Sequence, residues 1–243
     1  MDIKILELIE GAKQAEGVTV IIDVFRAFSL ECYLYARGAK AVYPVGSVEE
    51  ARKMKEDHPE YVLIGERQGR RCVGFDFGNS PSQTQLADLS GREVIHTTSA
   101  GTQGIVNAAR AEEILTGSLV NAAAVAAYIK EKNPSRVSLV AMGKSGARTA
   151  NEDVLCARYI KSLLEETPFD IDAGIAALRT NGGEHFFDPD NQEVYPREDY
   201  GLCTRYNLFP FVLRVERLPD GRRMSAKIDM VYSSVQAGRG EHS

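Results

Sequence analysis

Short apolar runs alternate with segments of helical periodicity through the first two thirds of the chain. The run at 18–22 is mostly β-branched and predicts a strand buried on both faces. Further apolar runs predict strands at 41–45, 61–64, 93–97, 113–116 and 137–142. Helical spacing predicts helices at 30–36, 47–55, 121–130 and 151–164, with a shorter one ending at 109. This alternation indicates a mostly parallel sheet with helices on both faces.

The pattern changes after residue 168. A helix is predicted at 171–178, and the polar, turn-rich stretch 180–200 is either a mobile segment or a surface excursion. Alternating apolar and polar residues at 209–217 and 224–231 predict an antiparallel hairpin. Residues 233–243 are expected to be a frayed tail.

The predicted fold class is α/β, with three layers: a mostly parallel sheet flanked by helices, and a C-terminal antiparallel hairpin. Residues 1–17 predict an edge strand or a short helix before the first buried strand. We expect 1–243 to form one α/β domain, and two subdomains meeting near 165–180 are the alternative.

Composition restricts the class of partner. The chain has 243 residues, 44% hydrophobic and 26% charged, with a net charge of −5. This charge argues against nucleic acid or a membrane as the main partner, but local arginines or a metal would still admit a small anionic substrate. No apolar run approaches the ~18 residues of a membrane span, and no signal peptide is evident, so we expect a cytoplasmic protein. The four scattered cysteines predict neither a zinc site nor a disulfide framework.

Charged, small or hydroxylated residues follow most of the predicted strands. They are Asp23, Glu66, Thr97, Thr98, Ser118, Lys144 and Ser145. Because the carboxyl ends of parallel strands meet at one edge, we expect these residues to converge. Asp23 is a candidate metal ligand or nucleophile and Arg26 a candidate anion clamp; alternatively, Asp23 caps the next helix and pairs with Arg26.

Three further segments carry candidate chemistry, each with a structural alternative. Glu66 and Arg67 directly follow an apolar run. They are either functional residues of the site or partners in an ion pair. Asp76 and Asn79 are candidate cation ligands or the residues of an Asx-turn. The turn at 97–102 is either a phosphate cradle or helix-capping chemistry.

Other polar residues are expected to be structural. The spacing of Thr149 and Glu152 predicts a capping box, and Asp153 either favours the helix dipole or reaches the metal. His96 is expected to be a hydrogen-bonded core histidine, and His185 supports no assignment. Lys144 is not part of a Walker A loop, because Ser138 stands where that motif needs its first glycine.

Six motifs occur in the order seen in the 2-phosphosulfolactate phosphatase (ComB) family, and the chain resembles that family over roughly 18–165. They are DVFRAFS at 23–29, GER at 65–67, GFDFGNSP at 74–81, TTSAGT at 97–102, GSLVNA at 117–122 and NEDVLCA at 151–157. The resemblance implies a magnesium-dependent phosphatase that releases phosphate from 2-phosphosulfolactate to give sulfolactate, a step toward coenzyme M.

The leading hypothesis is Mg²⁺-assisted hydrolysis of a small anionic phosphomonoester. The predicted metal ligands are Asp23, Glu66 and Asp76, and the predicted catalytic residues are Asp23, Arg26 and Arg67. The predicted substrate-binding residues are Ser29, Asn79, Thr98, Ser99, Gly101, Thr102, Ser118 and Lys144. Either Asp23 or a water attacks phosphorus. The alternatives are a non-catalytic phosphometabolite-binding sensor and an assembly subunit. A homo-oligomer is also considered, with the hairpin as an edge for association.

Overall fold

The computed structural model describes residues 1–85 and 87–231, and it contains ten strands in these ranges. They are β1 Asp2–Glu7, β2 Gly17–Ile22, β3 Ala41–Pro44, β4 Val62–Arg67, β5 Arg70–Arg71, β6 Glu93–Thr97, β7 Ala111–Gly117, β8 Arg136–Ala141, β9 Phe211–Arg217 and β10 Arg223–Asp229. All predicted strands are present. The expected frayed tail at 233–243 lies outside the described residues.

Eight α-helices connect the strands in the same ranges. They are α1 Leu8–Gln14, α2 Ala27–Ala36, α3 Val48–Asp57, α4 Gly101–Asn107, α5 Ala122–Lys132, α6 Asn151–Glu165, α7 Ile171–Leu178 and α8 Arg197–Thr204. The first 17 residues thus form both a strand and a helix. The stretch 180–200 contains two single-turn helices, Glu184–Phe186 and Pro189–Asn191, before α8 begins. Within the described part of the chain, every helix is too short or too polar to cross a membrane.

The ten strands form one sheet in the order β1-β8-β2-β7-β9-β10-β3-β6-β4-β5. The predicted mostly parallel sheet and the C-terminal hairpin are both confirmed. The expectation that the hairpin forms an edge is wrong, because β9 pairs with β7 and β10 pairs with β3. The hairpin therefore joins two parallel halves. The assignment of 1–243 to one domain stays a prediction.

Helices cover both faces of the sheet. Val20 and Ile22 of β2 belong to the hydrophobic cluster of α5 and α6, whereas Ile21 belongs to the cluster of α1 and α4. In the other half, Ile64 packs with α2 and Leu63 with α3. This alternation is that of a sheet buried on both sides, and it confirms the three layers.

The two parallel halves run in opposite directions. Each of the three pairings from β7 through the hairpin to β3 is antiparallel, so β2 and β6 point opposite ways in the sheet order. The expectation of one common edge for all strand ends is therefore wrong. The usual twist of about 20–25° per strand accumulates to about 100–125° over the five steps from β2 to β6. The ends of these strands nevertheless meet, since the Gly101 N–H that follows β6 donates to the Asp23 carboxylate that follows β2.

Candidate active site

A cavity of about 580 Å³ lies where the segments following β2, β4, β6 and β8 approach each other. Five acidic side chains line it: Asp23, Glu66, Glu152, Asp153 and Glu184. Three cationic side chains also line it: Arg26, Lys144 and Arg148. The structure therefore brings together three of the five residues predicted as metal ligands or catalytic residues, namely Asp23, Arg26 and Glu66.

Asp23 is buried and held at both carboxylate oxygens. Oδ1 accepts the Ala27 N–H at 3.1 Å, and Oδ2 accepts the Gly101 N–H at 2.9 Å. Burial, the largest cause, and the negative charge of Glu66 raise the pKa of Asp23, whereas the two backbone hydrogen bonds lower it, and the net result is a rise from 3.8 to about 6. Asp23 thus accepts the first N–H group of α2, whose N-cap residue is Arg26, while it also lines the cavity.

The turn at 97–102 binds carboxylates of the protein itself. The Ser99 N–H donates to Glu66 Oε1 at 2.6 Å, and the Gly101 N–H is bound to Asp23. The buried Thr98 and Thr102 exchange hydrogen bonds with each other. Of the four residues predicted here as substrate-binding, Ser99 is the one that lines the cavity. The phosphate-cradle prediction therefore does not fit Thr98, Gly101 and Thr102.

Glu66 and Arg67 do not form an ion pair. Glu66 Oε2 accepts the Gly69 N–H at 2.6 Å and the Ser99 hydroxyl at 3.1 Å. Arg67 donates to the Glu66 carbonyl at 2.6 Å and to the Thr97 hydroxyl at 3.0 Å, and it is absent from the cavity wall. The predicted catalytic role of Arg67 therefore has no geometric support, because its donors fix the end of β4.

Arg26 forms a buried salt bridge that the sequence does not predict. Its Nη1 donates to Asp199 Oδ2 at 2.7 Å, and its Nη2 donates to the Gly69 carbonyl at 3.3 Å. The guanidinium carbon lies 5.0 Å from the centre of the Tyr195 ring. The alternative that Arg26 pairs with Asp23 is wrong. Because Asp199 already balances its charge, Arg26 is a weaker anion clamp than its position suggests.

Asp76 lies in a neighbouring cavity of about 540 Å³ and not beside Asp23. Its Oδ2 accepts the Leu63 N–H at 2.8 Å and lies 3.7 Å from Lys55 Nζ. These contacts hold the loop after β4, so the structure gives no support to Asp76 as a metal ligand. Asn79 lines both cavities.

Two other predicted substrate-binding residues lie away from the cavity. The Ser29 hydroxyl is buried, contacts the Ser118 hydroxyl and donates to the Val24 carbonyl at 2.8 Å. Ser118 is also buried and caps the turn that precedes α5. Both serines connect the ends of β2 and β7, and neither lines the site.

The residues at the start of α6 contribute more to the site than the sequence predicts. The predicted capping box is wrong, because Thr149 donates to Glu7 and Ala150 is the N-cap residue. Asp153 instead accepts the Val24 and Gly143 N–H groups, each at 2.8 Å, and so connects the ends of β2 and β8. Two adjacent acids at the start of the predicted helix 151–164 were the available signal.

Glu152 is the least satisfied carboxylate of the cavity. It is 8% exposed, and its Oε2 has no hydrogen-bond partner among the described residues. Burial, followed by the charge of Asp23, raises the pKa of Glu152 from 4.5 to about 7. The same two causes raise the pKa of Asp153 well above its ordinary value. These carboxylates crowd negative charge into a small volume.

The cavity fits a cation that is completed by other ligands. In residues 1–85 and 87–231, no three His, Cys, Asp or Glu side chains lie close enough together to hold a metal by themselves. Mg²⁺ is usually bound by one or two carboxylates, with water and substrate phosphate supplying the remaining oxygens. Asp23 and Glu152 meet this smaller requirement, since both line the cavity and Glu152 Oε2 has no hydrogen-bond partner within 1–85 and 87–231.

The stretch 180–200 supplies one wall of the cavity and is a surface excursion that covers the site. Its His185 ring packs against Phe186 and Tyr195, with ring centres 4.3 and 4.5 Å away. Burial, then the charges of Lys144 and Arg26, lowers the pKa of His185 to about 4. His185 is therefore neutral near pH 7.

Lys144 and Arg148 are two cations at the rim of the cavity. In the part of the chain that the structure describes, neither Lys144 nor Arg148 has a carboxylate oxygen within 4.0 Å of its side-chain nitrogens. They lie on one tight turn, where the Lys144 N–H donates to the Arg148 carbonyl at 2.7 Å. The predicted substrate-binding role of Lys144 is compatible with this position, and Arg148 is a residue that the sequence reasoning missed.

Comparison with known proteins identifies the family of this chain. The sequence profile of a family described as 2-phosphosulpholactate phosphatase matches residues 3–187. A Bacillus subtilis (strain 168) protein named probable 2-phosphosulfolactate phosphatase is 32% identical over 205 residues, which are 82% of this chain and 87% of the relative. A Caldicellulosiruptor saccharolyticus protein of the same name is 33% identical over 183 residues, 74% of this chain and 75% of the relative. The chain therefore belongs to the 2-phosphosulpholactate phosphatase family, a family of phosphoric monoester hydrolases.

Proposed function

We propose that this protein is a Mg²⁺-dependent phosphatase that converts 2-phosphosulfolactate into sulfolactate and phosphate. The names of its relatives support the substrate. The observation that carries the proposal is that Asp23 and Glu152 line one cavity together with the rim cations Lys144 and Arg148.

The charge of the cavity supports a requirement for a cation. The wall holds five acidic and three cationic side chains, and one of the cations, Arg26, is already paired with Asp199. A phosphate ester with further acidic groups would be repelled by this surplus of negative charge. Asp23 and Glu152 would hold Mg²⁺, which when bound neutralises phosphoryl oxygens as a Lewis acid.

Lys144 and Arg148 suit the acidic groups of the substrate that do not react. A sulfonate and a carboxylate each carry one negative charge, and arginine offers a planar fork of donors to such groups. Both side chains line the cavity from one turn, so one small molecule can reach them and the deeper carboxylates together. The rim therefore favours substrates with more than one anionic group.

A water molecule is the proposed nucleophile. Both Asp23 oxygens accept backbone N–H groups, and such hydrogen bonds stabilise the carboxylate and reduce its reactivity. The neutral His185 lines the cavity, and its ring nitrogens have no hydrogen-bond partner among the described residues, so one of them is free to accept a hydrogen bond from the incoming water.

Phosphate release from 2-phosphosulfolactate tests this function directly. The purified protein is assayed with Mg²⁺, with EDTA, and with EDTA followed by excess Mg²⁺. We expect turnover in the first and third conditions only. Equal rates with and without EDTA would exclude the metal requirement. Tight binding of the ester without turnover would instead identify a phosphometabolite-binding sensor.

Matched variants test the carboxylates. We expect Asp23→Asn and Glu152→Gln each to reduce kcat by roughly 10²- to 10⁴-fold, the effect of losing several kcal/mol of charge stabilisation. Asp76→Asn is the control, because Asp76 lies in the neighbouring cavity. If Asp76→Asn were the one variant of the three to lose Mg²⁺-dependent turnover, the metal site would have to be assigned to the loop after β4.

A further inference from the structure

A buried chain of hydrogen bonds leads from α2 through β6 to the cavity wall. His96 Nδ1 lies 2.9 Å from Glu31 Oε1, and His96 Nε2 lies 3.1 Å from Asn79 Oδ1. Glu31 and His96 are fully buried, and Asn79 is 5% exposed and lines the cavity. The prediction that His96 is a hydrogen-bonded core histidine is confirmed, but its second partner is a residue of the site.

The contact with Asn79 determines which nitrogen of the His96 ring donates. An amide oxygen can only accept a hydrogen bond, so His96 Nε2 carries a proton and donates to Asn79 Oδ1. Glu31 Oε1 meets the other ring nitrogen, Nδ1, and so holds the ring in this orientation.

This proton fixes the orientation of the Asn79 amide. When Oδ1 accepts from His96, the NH₂ group of Asn79 must point away from the ring. It has no hydrogen-bond partner among the described residues and is not fully enclosed. Because Asn79 borders the cavity, its two N–H donors are available to an anionic oxygen there.

We propose that Glu31 and His96 are positioning residues, which hold the Asn79 amide so that it donates to an anionic oxygen of the substrate. The proposal rests on the phosphatase function proposed above. It also gives a reason for the burial of the Glu31 carboxylate, whose Oε1 contacts His96 Nδ1. If Glu31 and His96 only linked α2 to β6, their series of hydrogen bonds would not need to end at a residue of the site.

The test is a double-mutant cycle on KM and kcat. We expect Asn79→Ala and His96→Phe each to raise KM for 2-phosphosulfolactate roughly tenfold, the typical effect of losing one hydrogen bond to a charged group. If His96 acts through Asn79, adding His96→Phe to Asn79→Ala should raise KM no further. His58→Phe is the matched control, because His58 lies on the surface and stacks on Tyr61.

Variants of Glu31 provide a second test, which does not require His96→Phe to fold. The amide introduced by Glu31→Gln can donate to His96 Nδ1, which leaves the proton on Nε2, so this variant should keep KM within about twofold of the wild-type value. Glu31→Met has a similar volume but removes the partner, and it should raise KM as His96→Phe does. Thermal unfolding of each variant separates loss of folded protein from loss of binding.

Two outcomes would overturn the proposal. The first is a wild-type KM in folded His96→Phe or Glu31→Met. The second is a KM in the Asn79→Ala, His96→Phe double variant that equals the product of the two single effects. Failure of the proposed function looks different, because the wild-type protein would then release no phosphate. In that case the same variants are compared for binding of inorganic phosphate by calorimetry, where unchanged affinity would refute the role of Asn79.

Discussion

Arg26 Nη1 donates to Asp199 Oδ2 at 2.7 Å, and the two side chains, 173 residues apart, are both buried. Breaking a buried pair leaves one charge without compensation, which typically destabilises a protein by about 3–5 kcal/mol. We therefore expect Asp199→Asn to lower the free energy of unfolding by about 3 kcal/mol, as measured by urea denaturation.

An exposed pair is the control for this prediction. Arg222 and Asp220 form a surface ion pair at 2.7 Å, and such pairs contribute little. Asp220→Asn should leave the urea midpoint unchanged. If Asp199→Asn behaved in the same way, the buried pair would not hold the 180–200 region to the end of β2.

The sequence contained enough information to locate part of the site. Asp23 and Glu66 could be predicted because polar residues after apolar strands are unusual and point to an edge where ligands bind. Asp199 could not be found in this way, because a buried acid at the start of a polar helix looks like a solvated one. Only the folded chain shows that it neutralises Arg26.

The direction of the strands in the second half of the sheet also could not be predicted from the sequence. The hydrophobic pattern predicts each strand and the hairpin, but not that the hairpin inserts between β7 and β3. Strand pairing between segments distant in the chain depends on side-chain packing that local periodicity does not encode. Glu152 was misassigned for a related reason, since its spacing satisfies a local motif while its side chain faces the cavity.

Loss of the rim cations should change substrate preference. We expect Lys144→Ala and Arg148→Ala each to raise KM for 2-phosphosulfolactate by roughly tenfold, because a charge-assisted hydrogen bond is lost. The KM for phenyl phosphate, which has no second acidic group, should change much less. Kinetics with both esters at low and high salt measure the difference, which should shrink as salt screens the exposed charges.

A lysine remote from the cavity provides the control for the rim. Lys161 lies on α6 and pairs with Glu165 at the surface. Lys161→Ala removes the same charge from the protein as Lys144→Ala, so any shared effect reflects net charge and not position. If Lys144→Ala raised the KM for both esters equally, the rim would bind the phosphate itself and not a second acidic group.

The crowded carboxylates predict that stability falls as pH rises. Asp23, with an ordinary pKa of 3.8 and a pKa of about 6 in the folded protein, binds more protons when folded than when unfolded between these values. Stability must then decrease with pH across this window, by roughly 3 kcal/mol for a shift of this size. Glu152, with a pKa of about 7, extends the decrease toward neutral pH.

Urea denaturation in EDTA across the weakly acidic to neutral range measures this slope. Asp23→Asn cannot ionise at that position, so its free energy of unfolding should depend less on pH than that of the wild-type protein. Mg²⁺ at the neutral end of the range should restore stability in the wild-type protein, because a bound cation favours the ionised carboxylates. A slope that Asp23→Asn leaves unchanged would assign the pH dependence to other groups.

Gly69 and Gly74 form a matched pair that isolates the contact of the 180–200 region with the site. Both have φ of +80°, where alanine is strained, but their surroundings differ. A Cβ at Gly69 would overlap the Tyr195 hydroxyl, whereas a Cβ at Gly74 would meet no described atom within 4 Å. Gly74→Ala should therefore lower the free energy of unfolding by about 1–2 kcal/mol through backbone strain alone.

Gly69→Ala should combine the same strain with displacement of Tyr195, which lines the cavity. We expect a further loss of about 1–3 kcal/mol from overpacking and a higher KM for 2-phosphosulfolactate, while Gly74→Ala keeps the wild-type KM. Urea denaturation and steady-state kinetics on the two variants separate strain from displacement. Identical behaviour of the two variants would mean that the Tyr195 wall gives way freely and does not shape the substrate site.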